Sequence, residues 1–308
     1  MAQTYHTYAN VYDFRAYMGG TDHVTDWTTD SAPILRVLEA ASIRIDKYAG
    51  RSFGPRTATK SYDLGKGALR NDALQPTSNS ISYPDYWSSK LSGAGIVPLD
   101  DWLITATTVT AYSGTDRATS DTLSSGVGND YLLEPYNRSP KTILKLEEDT
   151  TKSLKAGQQT LTILGTWGWQ SDKSATISTI DAIGSTTATA VSVSSGSTTY
   201  VGDTIIIDNE QFYVTAVSGN NLTTIRGANG TTAATHSGGA AYTRWKYPSD
   251  VVQVCLGIAR SYWRSRDVGQ APTIGSGEQS MTYPQNEEII LLARLDHYLN
   301  QRETAVNF

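Results

Sequence analysis

The stretch from Gly165 to Asp267 decides the fold, because its two ends carry the clearest patterns of the chain. It begins with an aromatic strand end, GTWGW, at residues 165–169, and it closes with PSDVVQVCLGIARSYWRSR at residues 248–266. The apolar residues of the closing segment recur at spacings of four, three and four, the period of one helix face. These residues are Val251, Cys255, Ile258 and Tyr262. The segment therefore predicts a helix over residues 248–267.

Between the strand end and the helix lie residues 171–245, which are rich in Thr, Ser and Gly. Short strand patterns recur here at close spacing, and residues 201–217 have the pattern of a hairpin with its turn at Asp208, Asn209 and Glu210. Thr and Ser suit the exposed faces of strands. The sequence therefore predicts a small β-barrel or sandwich, inserted between a strand and a helix that are neighbours in one fold.

Two further segments have helical periodicity. Residues 32–49 carry one apolar stripe, which indicates packing on another helix or on a sheet, and the helix at 248–267 is the natural partner. Residues 286–302 carry a second stripe behind a Gly-, Pro- and Ser-rich segment, and such a helix can dock on another subunit or pack back on its own chain. The two stripes consist of Ile34, Leu38, Ala41, Ile45 and Tyr48, and of Ile289, Leu292, Leu295 and Leu299.

Together these patterns predict an α+β fold: a helical core, made of helices near 32–49, 248–267 and 286–302, with a β region and the inserted small β-barrel or sandwich domain. The expected domains are a core domain over residues 1–170 plus 246–268, the inserted β domain over 171–245, a flexible linker over 269–285, and a C-terminal docking helix over 286–308.

Composition excludes several classes of protein. The 308 residues contain 25 Lys and Arg against 30 Asp and Glu, a net charge of −5, which argues against a general nucleic-acid binder. Cys255 is the only cysteine, so no intrachain disulfide can form, and the four scattered histidines give no zinc signature. No apolar stretch is long enough to span a membrane, and no signal peptide begins the chain. We expect a soluble protein made in a cytoplasm.

Catalytic motifs are also missing from the sequence. There is no phosphate-binding Gly-Lys-Ser/Thr loop, no Gly-x-Ser-x-Gly elbow and no His-Glu-x-x-His pair. The adjacent Asp100 and Asp101 are expected to be solvated charges, and Asp203, Asp208 and Glu210 leave a calcium site as a minor alternative. We therefore expect a protein that is not an enzyme and that needs no cofactor and no metal.

Three segments carry a resemblance to a known family. They are AASIRIDKYAGRSF at residues 40–53, GTWGW at 165–169, and the helix with Ala259, Tyr262, Trp263 and Arg266. In this order they resemble the head-tail connector (adaptor) proteins of tailed bacteriophages, over residues 11–170 and 246–268. The inserted segment, with Glu210, Arg226-Gly227 and His236, is similar to small β modules of other phage virion proteins.

The resemblance implies a structural role in the virion neck. Such adaptors form a ring, usually dodecameric, below the portal protein, extend the DNA channel and provide a platform for the next neck or tail protein. Double-stranded DNA would then pass through the lumen without specific binding, and no membrane would be involved. The residues expected to bind the portal are Ile289, Leu292, Leu295, Leu299 and Arg302, and those expected at the subunit interface are Arg260, Trp263 and Arg264.

Two other interpretations remain open from the sequence. The chain could be a carbohydrate- or host-binding β-module protein, in which exposed aromatic rings stack on sugars. Trp87, Trp102 and Trp245 would be the candidates for that role. It could also be another neck protein such as a tail terminator, with affinity for the tail tube rather than for the portal.

Overall fold

The computed structural model divides into two compact units, Met1–Gly54 with Ser171–Phe308, and Pro55–Gln170. The residues that it describes are 6–19, 31–64, 96–112, 117–147, 150, 152, 154–155, 157–268, 273–274, 281–282 and 287–299.

The unit over Pro55–Gln170 is built on one six-stranded antiparallel sheet with the order β1-β6-β2-β5-β4, and β3 pairs with the far end of β2. Its strands are β1 (Arg56–Leu64), β2 (Ile96–Tyr112), β3 (Ser120–Leu123), β4 (Tyr131–Glu134), β5 (Lys141–Leu146) and β6 (Gly157–Trp167). The core includes Leu103, Val109, Leu144, Ile163 and Trp167. The long strand β2 pairs on both sides and changes register twice against β6, so it bends around this core.

The centre of that sheet depends on a glycine. Gly165 in β6 lies so close to β2 that an added Cβ would be 2.5 Å from the carbonyl oxygen of Thr105 and 3.0 Å from Cδ1 of Leu103. Next to it, the indole N–H of Trp167 donates to the carbonyl of Ala58, 2.9 Å away. The aromatic strand end that the sequence singled out is therefore a central strand of this sheet.

Replacing Gly165 by alanine should destabilise this sheet by about 1–3 kcal/mol, because the backbone of β2 must shift to admit a methyl group. A thermal melt followed by circular dichroism should show a clearly lower Tm. Gly184→Ala is the matched control, because a Cβ at Gly184 meets nothing within 4 Å. Equal Tm values for the two variants would contradict the close approach of β2 and β6.

In the other unit, residues 171–245 form a second six-stranded antiparallel sheet, here called the β module, with the order β7-β12-β9-β10-β11-β8. The sheet curls until its edges meet, since Ile180 and Val193 form an antiparallel bridge beside β7 and β8. The hairpin of β9 and β10 confirms the one predicted over residues 201–217. The strands are β7 (Ser178–Thr179), β8 (Ala190–Ser192), β9 (Thr204–Ile207), β10 (Glu210–Ser218), β11 (Asn221–Ile225) and β12 (Ala241–Arg244).

The same unit contains the helices. They are α1 (Val11–Tyr17), α2 (Ser31–Ala49), α3 (Ser249–Val268), α4 (Glu287–Ala293) and α5 (Asp296–Leu299). The helices predicted near 32–49 and 248–267 are confirmed as α2 and α3, which pack on each other as expected. The helix predicted over 286–302 is divided into α4 and α5, and its last residues lie outside the described part of the chain. Within the predicted linker, β13 (Thr273–Ile274) pairs with β14 (Met281–Thr282).

Residues 6–10, here called the N-terminal strap, join the β module to the helices. All five are buried, although three of them are polar. On one side the Thr7 hydroxyl donates to the carbonyl of Gly202, 2.7 Å away. On the other side the amide of Tyr8 donates to Oγ of Ser42 in α2, at 3.1 Å. The N-terminal strap thus links the β module to the helical layer by hydrogen bonds on both sides. The bond between Thr7 and Gly202 joins residues that are 195 positions apart in the sequence.

The expected α+β fold with a helical core is wrong. The part of the chain that the structure describes is mostly β, with two six-stranded antiparallel sheets and five helices, and 26% of it is helical. Each sheet has its own apolar core, centred on residues such as Trp167 and Phe212. The helix stripes stand out in the sequence because their period is regular. Apolar and polar residues alternate only loosely in the Thr- and Ser-rich strands. The sequence pattern therefore gave the sheets too little weight in the predicted fold.

Candidate interaction surface at the C-terminal helices

The C-terminal helices pack back on their own chain. Leu291 of α4 lies directly on Gly257 of α3, where an added Cβ would be 2.8 Å from Leu291 Cδ1. Leu292 and Leu295 are buried beside it. The glycine therefore allows α4 to approach α3 closely, and the apolar residues on this side of α4 complete the helical layer.

Polar contacts hold the same helices at their ends. Arg44 of α2 forms an ion pair with Glu288 at the start of α4. The Tyr298 hydroxyl of α5 donates to Oδ1 of Asp250 at the start of α3, 2.9 Å away, and its ring meets Phe53 edge to face at 4.9 Å. Burial raises the pKa of Tyr298 well above its ordinary value, so this hydroxyl keeps its proton and remains a donor at neutral pH.

The outer side of α4 presents an apolar surface to solvent. Ile289 is 64% exposed and Ile290 is 59% exposed. Ile43 of α2 is exposed as well, and it precedes Arg44, whose partner Glu288 precedes Ile289. The ion pair joins the two helix segments that carry these isoleucines. We call Ile43, Ile289 and Ile290 the isoleucine patch.

The five residues predicted to bind the portal do not share one face. Ile289 belongs to the isoleucine patch, whereas Leu292 and Leu295 are buried inside the unit and Leu299 is half-buried. Arg302 lies outside the described residues. Ile290, which the helix stripe did not include, is exposed beside Ile289. The exposure of Ile289 and Ile290 could not be inferred from periodicity. A periodic pattern identifies the apolar residues of a helix but does not show which of them pack against the rest of the protein.

The residues predicted for the subunit interface are also divided. Trp263 is buried and meets the ring of Phe14 in α1 at 6.0 Å between centroids. It contributes to the core of its own chain. Arg260 and Arg264 are half-buried on the surface of α3. Their part in a subunit contact stays a prediction.

Residues 41–49, from one of the three segments that carry the family resemblance, belong to α2 in the helical layer. Oγ of Ser42 donates to the carbonyl of Leu38, 2.8 Å away, and lies 3.5 Å from Sγ of Cys255. Asp46 accepts a hydrogen bond from the hydroxyl of Tyr8. These groups are packing and positioning residues. Burial raises the pKa of the Cys255 thiol to about 11, so this cysteine is not a nucleophile at neutral pH.

A dense polar cluster lies in the β module around Glu210. This carboxylate is 1% exposed, and Arg226 donates to both of its oxygens, at 2.7 and 2.8 Å. The amides of Gly227 and Ala234 also donate to it, at 3.0 and 2.9 Å. Nε2 of His236 lies 2.9 Å from Glu210, and Nδ1 lies 2.7 Å from Asp208.

This Glu210 cluster has the residue types of a catalytic site but not the access. The lone pairs of Glu210 are taken up by internal donors, and the guanidinium of Arg226 lies over the Phe212 ring at 4.6 Å. Burial would raise the pKa of Glu210, but the hydrogen bonds from Arg226, His236 and the two amides outweigh it and lower the pKa from 4.5 to about 2. A permanently ionised and saturated carboxylate is a cross-link rather than an acid or a base.

Other candidates from the sequence can also be placed. Asp203, considered with Asp208 and Glu210 for calcium, instead pairs with Arg244 at 3.1 Å, and no group of three His, Cys, Asp or Glu side chains in the described residues is arranged to hold a metal ion. Asp101 was expected to be solvated, but it is buried and pairs with Arg56 and Lys60. Trp102 is fully buried and cannot stack on a sugar. Trp87 lies outside the described residues, and Trp245 is half-buried.

Comparisons with known proteins do not assign the chain to a family. No protein-family model matches the chain, and no curated protein or solved structure is significantly similar to it. Among the helices that the structure describes, none is long and apolar enough to cross a membrane.

Proposed function

We propose that this chain is a structural protein of a bacteriophage virion, a head-tail adaptor that forms a ring below the portal, extends the DNA channel and carries the next neck or tail protein. The observation that best supports this proposal is the isoleucine patch. It is an exposed apolar surface on helices whose positions are set by internal contacts, and such surfaces are typical of protein interaction sites.

The partner that we assign to the patch is the portal protein. Exposed apolar side chains on a short helix fit an apolar groove of another protein, where each can fill a pocket. The net charge of −5 suits a ring through which DNA passes without adhering. The residues of the family motif are engaged in packing, which agrees with a protein that works by binding and has no catalytic step.

A sharp test is the double variant Ile289→Asp/Ile290→Asp. Two charges on the outer side of α4 leave Leu291 and Leu292 in place, so the fold should persist. Binding to the portal should weaken by a factor of about ten or more, because charged groups cannot enter an apolar pocket. Co-purification with the portal protein of the same phage, followed by titration, measures this effect.

The control is Val127→Asp, which places one aspartate on an exposed apolar residue of the other unit. It should bind the portal like the wild-type protein, and both variants should keep the wild-type Tm. Unchanged portal binding by the double variant would refute the assignment of the isoleucine patch. Binding of the wild-type protein to a tail tube, but not to the portal, would favour a tail terminator instead.

A deletion of residues 286–308 is a poorer test. It would remove Leu291, Leu292 and Tyr298, which are buried against α3 and Phe53. The loss of binding could then follow from the loss of the fold. Substitution of the largely exposed Ile289 and Ile290 separates these two causes.

A further inference from the structure

The sheet of the unit Pro55–Gln170 has its apolar core on one face, and its other face is formed by outward side chains of β1, β6, β2 and β3. The register places these side chains in rows that run across the strands, with Leu164 of β6 between Thr59 of β1 and Thr108 of β2. We call this set of residues the threonine face. It consists of Thr57, Thr166 and Thr105 in one row, of Thr59, Leu164 and Thr108 in the next, and of Ser61, Thr162, Thr110 and Thr122 in the third.

The threonine face contains no charged side chain, although charged residues make up 18% of the chain. On the same face at the other end of the sheet, β5 and β4 do carry Lys145 and Glu134. Leu164 in the middle of the threonine face is 36% exposed, and Thr59 beside it is exposed as well. Depletion of charge is typical of the core of a protein–protein interface. The threonine face therefore has the composition of a surface that another protein covers.

The edge of the same sheet opposes the other common mode of docking, the addition of a strand. Lys60 of the edge strand β1 points to the core side, where its Nζ lies 3.0 Å from Oδ2 of Asp101 and 5.0 Å from the centre of the Trp167 ring. An inward-pointing charge on an edge strand disfavours pairing with a further strand. A partner is therefore expected to pack on the face of the sheet rather than to extend it at β1.

A second uncharged sheet face lies on the β module, where β8, β11 and β10 are neighbours. Val191 and Leu222 of these strands point into the core of the module, and the residues that alternate with them point outward. None of the outward residues is charged, and all of them are exposed except Ser192, which is half-buried. We call them the module face: Ala190 and Ser192 of β8, Asn221 and Thr223 of β11, and Ala216 and Ser218 of β10.

Charge and symmetry together point to a second copy of the chain as the partner. Each copy has a net charge of −5, so two copies repel each other unless they meet through surfaces that carry no charge. A ring also needs two different surfaces on each subunit, because a head-to-tail contact can close into a ring whereas a surface that pairs with itself gives a dimer. The threonine face and the module face are two such surfaces, and sheets pack well face to face, about 10 Å apart.

We propose that the threonine face of one copy packs on the module face of the next copy, and that this contact joins the subunits of the ring. Leu164 is the apolar anchor of the contact, and the small side chains of Ala190 and Ala216 leave room for it on the opposite face. The inference rests on the proposed function for the ring, but its residues are separate from the isoleucine patch that is assigned to the portal.

Sedimentation velocity of the intact chain over a series of concentrations tests the contact. The wild-type protein should associate with itself. Thr59→Lys/Thr108→Lys places a charge on each side of Leu164 and should weaken self-association about tenfold or more, because these charges would be buried without partners. Ser192→Asp/Thr223→Asp should weaken it to a similar extent from the module face.

A mixture of these two double variants gives the sharpest result. Where the two chains alternate, the lysines of one face the aspartates of the other, and the next contact joins two unmodified faces. The mixture should therefore associate about as strongly as the wild-type protein. Val127→Lys/Tyr136→Lys is the control, because it places two lysines on exposed residues of the same unit outside the threonine face, and it should associate like the wild type.

Three results would overturn the proposal: a wild-type chain that stays monomeric at every concentration, a charged variant that associates like the wild type, or a mixture that stays as dissociated as its components. If a charged variant does not fold, Leu164→Ala removes the anchor without adding a charge. It should weaken self-association about fivefold, and unchanged association would also overturn the proposal.

Portal binding by the same samples separates this inference from the proposed function. A chain that associates through the two faces but does not bind the portal protein would refute the proposed function alone. A chain that binds the portal protein but does not associate with itself would refute the contact between the threonine face and the module face alone.

Discussion

Replacing Glu210 by alanine should lower the free energy of unfolding of the β module by roughly 3–5 kcal/mol, because it leaves the buried guanidinium of Arg226 without its counter-ion. The loss should be large because Glu210 connects separate parts of the module. Its oxygens receive hydrogen bonds from Arg226 after β11 and from the amide of Ala234. Arg226 in turn donates to the carbonyls of Ser185 and Ala188.

Urea denaturation followed by circular dichroism measures this effect. Asp208→Asn is the control, because Asp208 contacts the other nitrogen of the same histidine but its side chain is largely exposed. Exposed ion pairs contribute about 0–1 kcal/mol, so this variant should be nearly as stable as the wild type. Equal losses in the two variants would show that the Glu210 cluster is not the cross-link described above.

The pH dependence of the effect follows from the lowered pKa of Glu210. This carboxyl titrates at about 2 in the folded protein and at 4.5 without its partners. The folded state therefore favours the ionised form, and its stabilising contribution is fully present above about pH 4.5. The contribution is lost as the pH falls through about 2. The difference in stability between wild type and Glu210→Gln should shrink accordingly below about pH 4.5.

Replacing Tyr8 by alanine should have the second large effect, a loss of about 3–5 kcal/mol in the free energy of unfolding. Tyr8 is 1% exposed, and its ring meets Phe53 and Tyr247 edge to face at 5.8 and 5.0 Å. Its hydroxyl donates to Asp46 and accepts from the amide of Phe53 at 2.9 Å. Burial raises the pKa of Tyr8 well above its ordinary value, which keeps the hydroxyl protonated as a donor.

Tyr8→Phe separates the two contributions of this residue. The ring remains, but Asp46 and the Phe53 amide each lose a partner, and the cost should be about 1–3 kcal/mol. Tyr12→Ala is the control, since Tyr12 is 54% exposed and stacks only on the surface residue Tyr200. Thermal melts of the three variants should rank in the order Tyr8→Ala, Tyr8→Phe, Tyr12→Ala, from lowest to highest Tm. A Tyr8→Ala protein that melts like Tyr12→Ala would contradict the role of the N-terminal strap.

The helices α2 and α3 were predictable because a helix needs only a local pattern. The stripe of α2, which includes Leu38 and Ile45, is regular and ends at a glycine. The strap had no such signal. Residues 6–10 are buried through contacts with Ser42, Asp46 and Gly202, and each contact depends on tertiary structure rather than on periodicity. Polar residues that are buried in extended chain look like a surface loop in the sequence.

The same distance in sequence hid the Glu210 cluster. Glu210 was predicted to lie at a hairpin turn, and it does lie there, but its partners Arg226 and His236 follow 16 and 26 residues later. These separations arise because β10, β11 and the loop after β11 lie between the partners. A local sequence pattern does not show how those elements fold back on Glu210. Glu210, Arg226 and His236 all belong to the pattern that is similar to small β modules of phage virion proteins. Only the folded sheet shows that Arg226 and His236 both contact Glu210.

The contacts between the β module and the helices also could not be predicted from local sequence patterns. The sequence predicted that residues 171–245 form an inserted domain of their own. In the structure Tyr213 of β10 donates to Glu39 of α2 at 2.9 Å, and the N-terminal strap crosses between the two. We now expect removal of residues 171–245 to destabilise the helices as well, because buried groups such as Thr7 would lose their partners.

The most direct measurement of the central claim is native mass spectrometry of the purified protein, alone and mixed with its proposed partner, a portal protein. The proposed adaptor should join the portal ring in a fixed multiple of copies, and the Ile289→Asp/Ile290→Asp protein should remain unbound in the same mixture. If the wild-type protein gives the same masses with and without the portal, it is not a portal adaptor.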